Sequence, residues 1–112
     1  MPVTEPIQLN NQSCGSDTGG TQIGTVTFSR AKGKLQVEVT FTGAAANTTY
    51  GIDVWNGSNC TFTGVEVGGV TTDGSGDGSG TFQAKVKGSV FFINAVNTSD
   101  FSGNDSLIAT LG

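Results

Sequence analysis

The sequence contains no histidine, and only 12% of its 112 residues are charged. Histidine is the usual general base and the commonest metal ligand in proteins, so its absence excludes Ser-His, Cys-His and zinc-protease arrangements. The nine Asp and Glu residues stand mainly in polar turns or at outward strand positions such as Glu38 and Asp53. Carboxylates in such places are not tuned by desolvation for acid–base catalysis. We predict that the chain is not an enzyme and has no resident cofactor.

Positive charge is scarce as well. Five cations stand against nine acids, and a net charge of −4 repels phosphate, so we expect no nucleic-acid partner. The cations fall into two short groups, which are Arg30, Lys32 and Lys34, then Lys85 and Lys87. They would form a small basic strip if their strands were adjacent, but we favour the simpler explanation that they lie on solvated strand faces and protect sheet edges.

Long apolar runs are also missing. None approaches the roughly 18 residues that a membrane-spanning helix needs, and the N-terminus lacks the zones of a signal peptide. We expect no membrane insertion.

Cysteine is limited to Cys14 and Cys60. Their wide separation favours a disulfide, which would constrain the unfolded chain by at most about 4 kcal/mol. Two free buried thiols are the alternative, whereas a metal site would lack the usual ligand set. The chain also carries six Asn-x-Ser/Thr sequons, at Asn11, Asn47, Asn56, Asn59, Asn97 and Asn104. Both features predict an extracellular or cell-surface location, with the sequons as candidate glycosylation sites.

What is present favours strands. Eighteen glycines and few helix formers argue against a long helix. The clearest strand is 34–42, where apolar and polar residues alternate, and it should pair with 22–29 through a hairpin turn at 31–33. Further strands are expected at 50–55, 60–67, 70–72, 82–87, 89–96 and 107–111, with a break at Gly68-Gly69 and polar loops at 73–80 and 100–105. Residues 89–96 are apolar on both faces, which predicts a central strand.

This spacing predicts an all-β fold, a seven- to eight-stranded antiparallel Greek-key-like β-sandwich with one disulfide, in a single domain of residues 1–112. Within it, residues 1–20 form an N-terminal strand followed by a flexible loop. Val3, Ile7 and Leu9 are its apolar set, and Pro6 restricts the strand to an edge of a sheet. The strand either pairs within its own sandwich, which we favour, or completes the sheet of a neighbouring copy.

Two further groups of residues are candidate sites. Asp73, Ser75 and Asp77 match the opening half of a calcium loop, but Ala84 stands where the bidentate Glu belongs, so only a weak calcium site is conceivable and a simple hairpin connection explains the segment. Trp55 is predicted on the outer face of its strand and, with Tyr50, is a candidate contact for a glycan or protein. Covering the disulfide or a sheet edge is the structural alternative for Trp55.

The stretches Gly24–Phe28, Leu35–Phe41 and Thr49–Trp55, followed by Cys60, resemble superoxide-dismutase-like and CHRD-type β-sandwiches. Residues 71–78 before Phe82 resemble an element of secreted immunoglobulin-like modules. The resemblance implies an extracellular sandwich architecture without dismutase activity, because the metal-binding histidines are missing.

The predicted function is therefore a non-catalytic extracellular structural or adhesive module, such as a self-assembling filament or surface-assembly subunit that binds other protein subunits or copies of itself. The alternative is a carbohydrate- or calcium-dependent binding module.

Overall fold

The computed structural model describes residues 2–11, 20–57 and 64–111, and these fold into two antiparallel sheets. The strands are β1 (Val3–Gln8), β2 (Gln22–Ala31), β3 (Lys34–Phe41), β4 (Thr49–Asn56), β5 (Val65–Thr71), β6 (Gly78–Ala84), β7 (Val90–Asn97), β8 (Gly103–Asp105) and β9 (Ala109–Thr110). Sheet A has the order β1-β2-β3-β6, and sheet B has the order β5-β4-β7-β8 with β9 also paired to β7. In the described ranges no helix could cross a membrane.

The chain passes between the sheets in a Greek-key-like manner. Three strands of sheet A are followed by β4 and β5 of sheet B, then by β6 back in sheet A, and finally by β7, β8 and β9 in sheet B. The predicted all-β antiparallel sandwich is thus confirmed, with nine strands because two are very short. Cys14 and Cys60 lie outside the described residues, so their disulfide stays a prediction.

The core lies between the sheets and follows the alternation of the sequence. On β3 the fully buried side chains are Leu35, Val37, Val39 and Phe41, and on β4 they are Tyr50, Ile52 and Val54. Aromatic rings bridge the two layers, with centroids 4.5 Å apart for Phe41 and Tyr50 and 5.9 Å apart for Phe28 and Phe91. Period-two patterning therefore identified the inner faces of these strands correctly.

The N-terminal strand β1 pairs with β2 of the same chain, from Val3 opposite Phe28 to Gln8 opposite Gln22. It is an edge strand, as Pro6 predicted. Ile7 is completely buried in the core, whereas Leu9 remains 45% exposed. The open side of β1 is tied to sheet B by a bridge between Ile7 and Ser106 and by the Leu107 amide, which donates to the Pro6 carbonyl at 3.1 Å.

Three segments predicted as loops or breaks contain strand residues, and the first is 73–80, whose last three residues belong to β6. The expected break at Gly68-Gly69 lies inside β5, because a bulge opposite Ile52 and Asp53 absorbs the extra residue. Within the expected loop 100–105, residues 103–105 form the buried strand β8. β8 is held in place by the Asn104 side chain. Its Nδ2 donates to the Ala95 carbonyl at 2.8 Å, and its Oδ1 accepts from the Asn10 amide at 2.8 Å. Polar side chains can thus hold a strand that hydrophobic patterning does not reveal.

Candidate functional site

The hairpin between β2 and β3 forms one wall of a groove at one end of the sandwich. Ala31 pairs with Lys34, so the turn has only two residues, Lys32 and Gly33. Both have positive φ, 54° and 77°, which is the signature of a type I′ turn. Asn, Asp or Gly is the usual first residue of such a turn, and an ordinary L-residue there is disfavoured by about 1 kcal/mol. Lys32 therefore stands where local preference would not place it.

Residues 85–89, which cross from β6 in sheet A to β7 in sheet B, form the opposite wall. We call them the crossover. The Arg30 guanidinium donates to the Val86 and Gly88 carbonyls, each at 2.6 Å. Arg30 also lies over the Phe91 ring, 5.4 Å from its centroid. Asn56 fixes the same segment by donating to the Lys87 carbonyl at 2.6 Å. Although the crossover is not a strand, its path is held on both sides by hydrogen bonds.

Between these walls lies a groove of about 560 Å³, which we call the cationic groove. Its lining residues are Arg30, Lys32, Gly33, Lys34, Lys85, Val86, Lys87 and Gly88. All five cations of the sequence are among them, and no carboxylate is. The register of β3 and β6 explains why the two groups of cations lie together. Leu35 pairs with Ala84, so the adjacent residues Lys34 and Lys85 lie side by side at this end of the ladder. A chain of net charge −4 therefore presents a strongly positive surface at one end.

The lysines of this groove are unpartnered in the part of the chain that the structure describes. No ion pair or side-chain hydrogen bond joins Lys32, Lys34, Lys85 or Lys87 to another described residue. Arg30 differs, because its guanidinium holds the crossover. Four ammonium groups are thus available to an external anion on a backbone that Arg30 and Asn56 hold in place.

The sequence predicts solvated strand faces for the two groups of cations, and a basic strip only if their strands are adjacent. The adjacency of β3 and β6 could not be read from the sequence, since 36 residues separate them. One sequence signal pointed to the site. Lys32-Gly33 forms a two-residue turn in which Asn, Asp or Gly usually precedes the glycine, so the lysine is unusual there.

The predicted calcium residues lie at the opposite end of the sandwich. Asp73 Oδ1 accepts from the amides of Ser75 at 2.8 Å and Asp77 at 3.1 Å, and Asp77 Oδ1 accepts from the Gly43 amide at 3.2 Å. Hydrogen bonds from the Asp77 and Ser75 amides lower the pKa of Asp73. No group of three possible metal ligands occurs among the described residues. These side chains cap a turn, and calcium binding there stays a prediction.

The two aromatic candidates have different surroundings. Tyr50 is only 1% exposed and its hydroxyl accepts from the Ala45 amide at 3.1 Å, so its ring belongs to the core rather than to a contact surface. Trp55 does lie on the outer face of β4, directly opposite Phe92 on β7. The two rings stack with centroids 5.9 Å apart and planes 7° apart. Half-buried Trp55 therefore covers the fully buried Phe92. This packing role follows from the pairing of β4 with β7, which places the two residues opposite each other.

The sequons divide by burial. Asn47 and Asn56 are exposed and Asn97 is half-buried, whereas Asn11 and Asn104 are 4% and 1% exposed. A glycan could not occupy a side chain as buried as Asn104 without displacing β8. Asn59 lies outside the described residues.

Comparison of the sequence with known proteins does not assign it to a family. The sequence matches no protein-family model, and no curated protein is significantly similar to it.

Proposed function

We propose that the chain is a non-catalytic extracellular module with an adhesive function, and that it attaches to anionic surfaces through the cationic groove. One observation carries the proposal, namely that every cation of an otherwise acidic chain lies in a single groove without a carboxylate. Charge placed in this way raises the local concentration of anions and speeds their encounter. One wall is a two-residue turn and the other is held by hydrogen bonds from Arg30 and Asn56, and preorganised walls reduce the entropic cost of binding.

Adsorption to beads of matched size tests this function. We expect the protein to bind carboxylate- or sulfate-coated beads and to leave hydroxyl-coated beads bare. Binding should weaken as salt rises from about 0.01 M to about 0.15 M, because the screening length falls from about 30 Å to about 8 Å. Equal adsorption to charged and neutral beads would contradict the proposal.

A second candidate function, assembly by strand exchange, is favoured by the position of β1. This strand occupies a sheet edge, makes its ladder with β2 and contributes Ile7 to the core. A neighbouring copy could supply the same strand with the same register, which is the usual route to domain-swapped assemblies.

Light scattering and negative-stain imaging test the second candidate. Assembly by exchange predicts oligomers or filaments whose formation is abolished when residues 2–9 are deleted and is competed by an added peptide of that sequence. A monomer of 11.4 kDa at every concentration, or polymers that survive the deletion, would contradict it.

A further inference from the structure

We propose that the ligand of the cationic groove is a linear anionic polysaccharide, one that carries carboxylate or sulfate on its repeating units, and that Lys32 determines the affinity for it. This inference rests on the proposed adhesive function and names its partner.

The shape of the site favours a flexible polymer over a membrane or a nucleic-acid duplex. The groove is concave, lies between the β2–β3 turn and the crossover, and its volume is in the range of ligand-binding clefts. A flat bilayer would touch the tips of the two walls and leave the floor empty. A stiff duplex would extend over the acidic remainder of a chain of net charge −4.

The lining also suits sugar rings. Gly33 and Gly88 add no side chain to the walls, and Val86 offers an apolar patch beside Lys85 and Lys87. Aliphatic lysine stems and valine can pack against the C–H faces of a sugar while the ammonium groups pair with its anionic substituents. With five cations and no carboxylate in the lining, the groove distinguishes an anionic glycan from a neutral one by charge.

The turn provides an independent observation. Lys32 has φ 54° in a two-residue turn that ordinarily takes Asn or Gly, and in the described residues its side chain has no hydrogen-bonded partner that offsets this strain. Backbone strain that no internal contact explains is found preferentially at functional sites. The choice of lysine at this strained position is accounted for if its ammonium group contacts a bound anion at the rim of the groove.

Lys32→Asn therefore has opposite effects on folding and binding. Asn fits the positive φ better, so Tm should rise by about 2–5 °C. Removing one cationic contact should weaken binding of polygalacturonate by about three- to tenfold. A merely structural lysine would change stability without changing affinity.

The experiment is a calorimetric titration of the full chain with polygalacturonate, dextran sulfate and neutral dextran of similar length. Wild-type protein should bind the two anionic polymers and not dextran. The matched control is Lys32→Asn combined with Glu38→Gln, which restores the net charge of −4 from the middle of β3 without restoring a cation to the groove. We expect this double variant to bind as weakly as Lys32→Asn.

Three results would overturn the inference. They are unchanged affinity in Lys32→Asn, recovery of affinity by Glu38→Gln, and tighter binding of anionic vesicles or DNA than of either polysaccharide. A protein that binds sulfate- or carboxylate-coated beads but neither soluble polymer would refute the polysaccharide while leaving the adhesive function standing. Failure to bind the beads would instead refute the adhesive function itself.

Discussion

The two ends of the sandwich use charge in opposite ways. At the acidic end, formed by the turns around Asp73, Asp77 and Asp100, each of these carboxylates accepts at least one backbone amide hydrogen bond. At the cationic groove only the Arg30 side chain is hydrogen-bonded to the backbone, as a donor to two carbonyls, and the four lysine side chains have no such partner among the described residues. Charge that is bound to the backbone shapes a turn, whereas unpaired charge on a fixed backbone is available to a ligand.

The largest effect should come from matched glycines at the two ends. Gly76 and Gly33 have nearly the same φ, 80° and 77°, but a Cβ at Gly76 would collide with the Ala44 carbonyl, whereas one at Gly33 would meet open space. We expect Gly76→Ala to lower the free energy of unfolding by about 3 kcal/mol or more and Gly33→Ala by about 1 kcal/mol. Urea titration of both variants measures the difference. Equal losses would show that the acidic turn is not tightly fitted.

The next effect concerns binding rather than folding. Replacing Lys85 and Lys87 together with Gln should weaken attachment to an anionic polymer about tenfold or more and leave Tm within about 2 °C of wild type. Both side chains are exposed and unpaired among the described residues, so their loss removes charge without breaking an internal contact. The counterpart is Asp100→Asn at the acidic end, which should not weaken attachment. A large loss of stability in the lysine variant would contradict the contrast.

A smaller effect is expected at Asp73. The Asp77 and Ser75 amides lower its pKa, so the native state favours the charged form. Its contribution to stability is therefore present above the unfolded value of 3.8 and is lost as pH falls through the lower native value. Asp73→Asn keeps an acceptor oxygen but removes the charge, and should lower Tm at neutral pH by an amount that vanishes in strong acid. Thermal melts across this range test the sign.

The smallest effect should have the opposite sign and occurs at Asp53 in the middle of sheet B. Burial, and secondly the negative charge of Glu66 directly across the strand pair, raise the pKa of Asp53. Because its pKa is raised, the charged form destabilises the fold at neutral pH, and this cost disappears as pH falls through the native pKa. Asp53→Asn should therefore raise Tm slightly at pH 7 and not in acid. A lower Tm at pH 7 would show that Asp53 has a stabilising partner.

The sequence predicts those features of the fold that depend on local alternation, but not those that depend on side-chain hydrogen bonds or on pairing between distant strands. Strict alternation located β2, β3 and β4 and their buried faces, because a half-exposed strand needs one apolar side chain in every two. The strand β8 was missed because Asn104 holds it through side-chain hydrogen bonds. The cationic groove was only suggested as a strip, since it depends on the pairing of β3 with β6 and on the path of the crossover, neither of which is encoded locally. The alternation of β4 places Tyr50 on the same face as Ile52 and Val54, and this face is the buried one, so alternation itself argues against Tyr50 as a contact residue.

The most direct test of the central claim is an amide chemical-shift map of the ¹⁵N-labelled chain during titration with polygalacturonate. The account predicts salt-sensitive shifts concentrated at residues 30–34 and 85–88, with residues 42–48 and 73–78 at the acidic end unchanged. Shifts centred on the acidic end, or spread evenly over the surface, would contradict the assignment of the cationic groove as the contact surface.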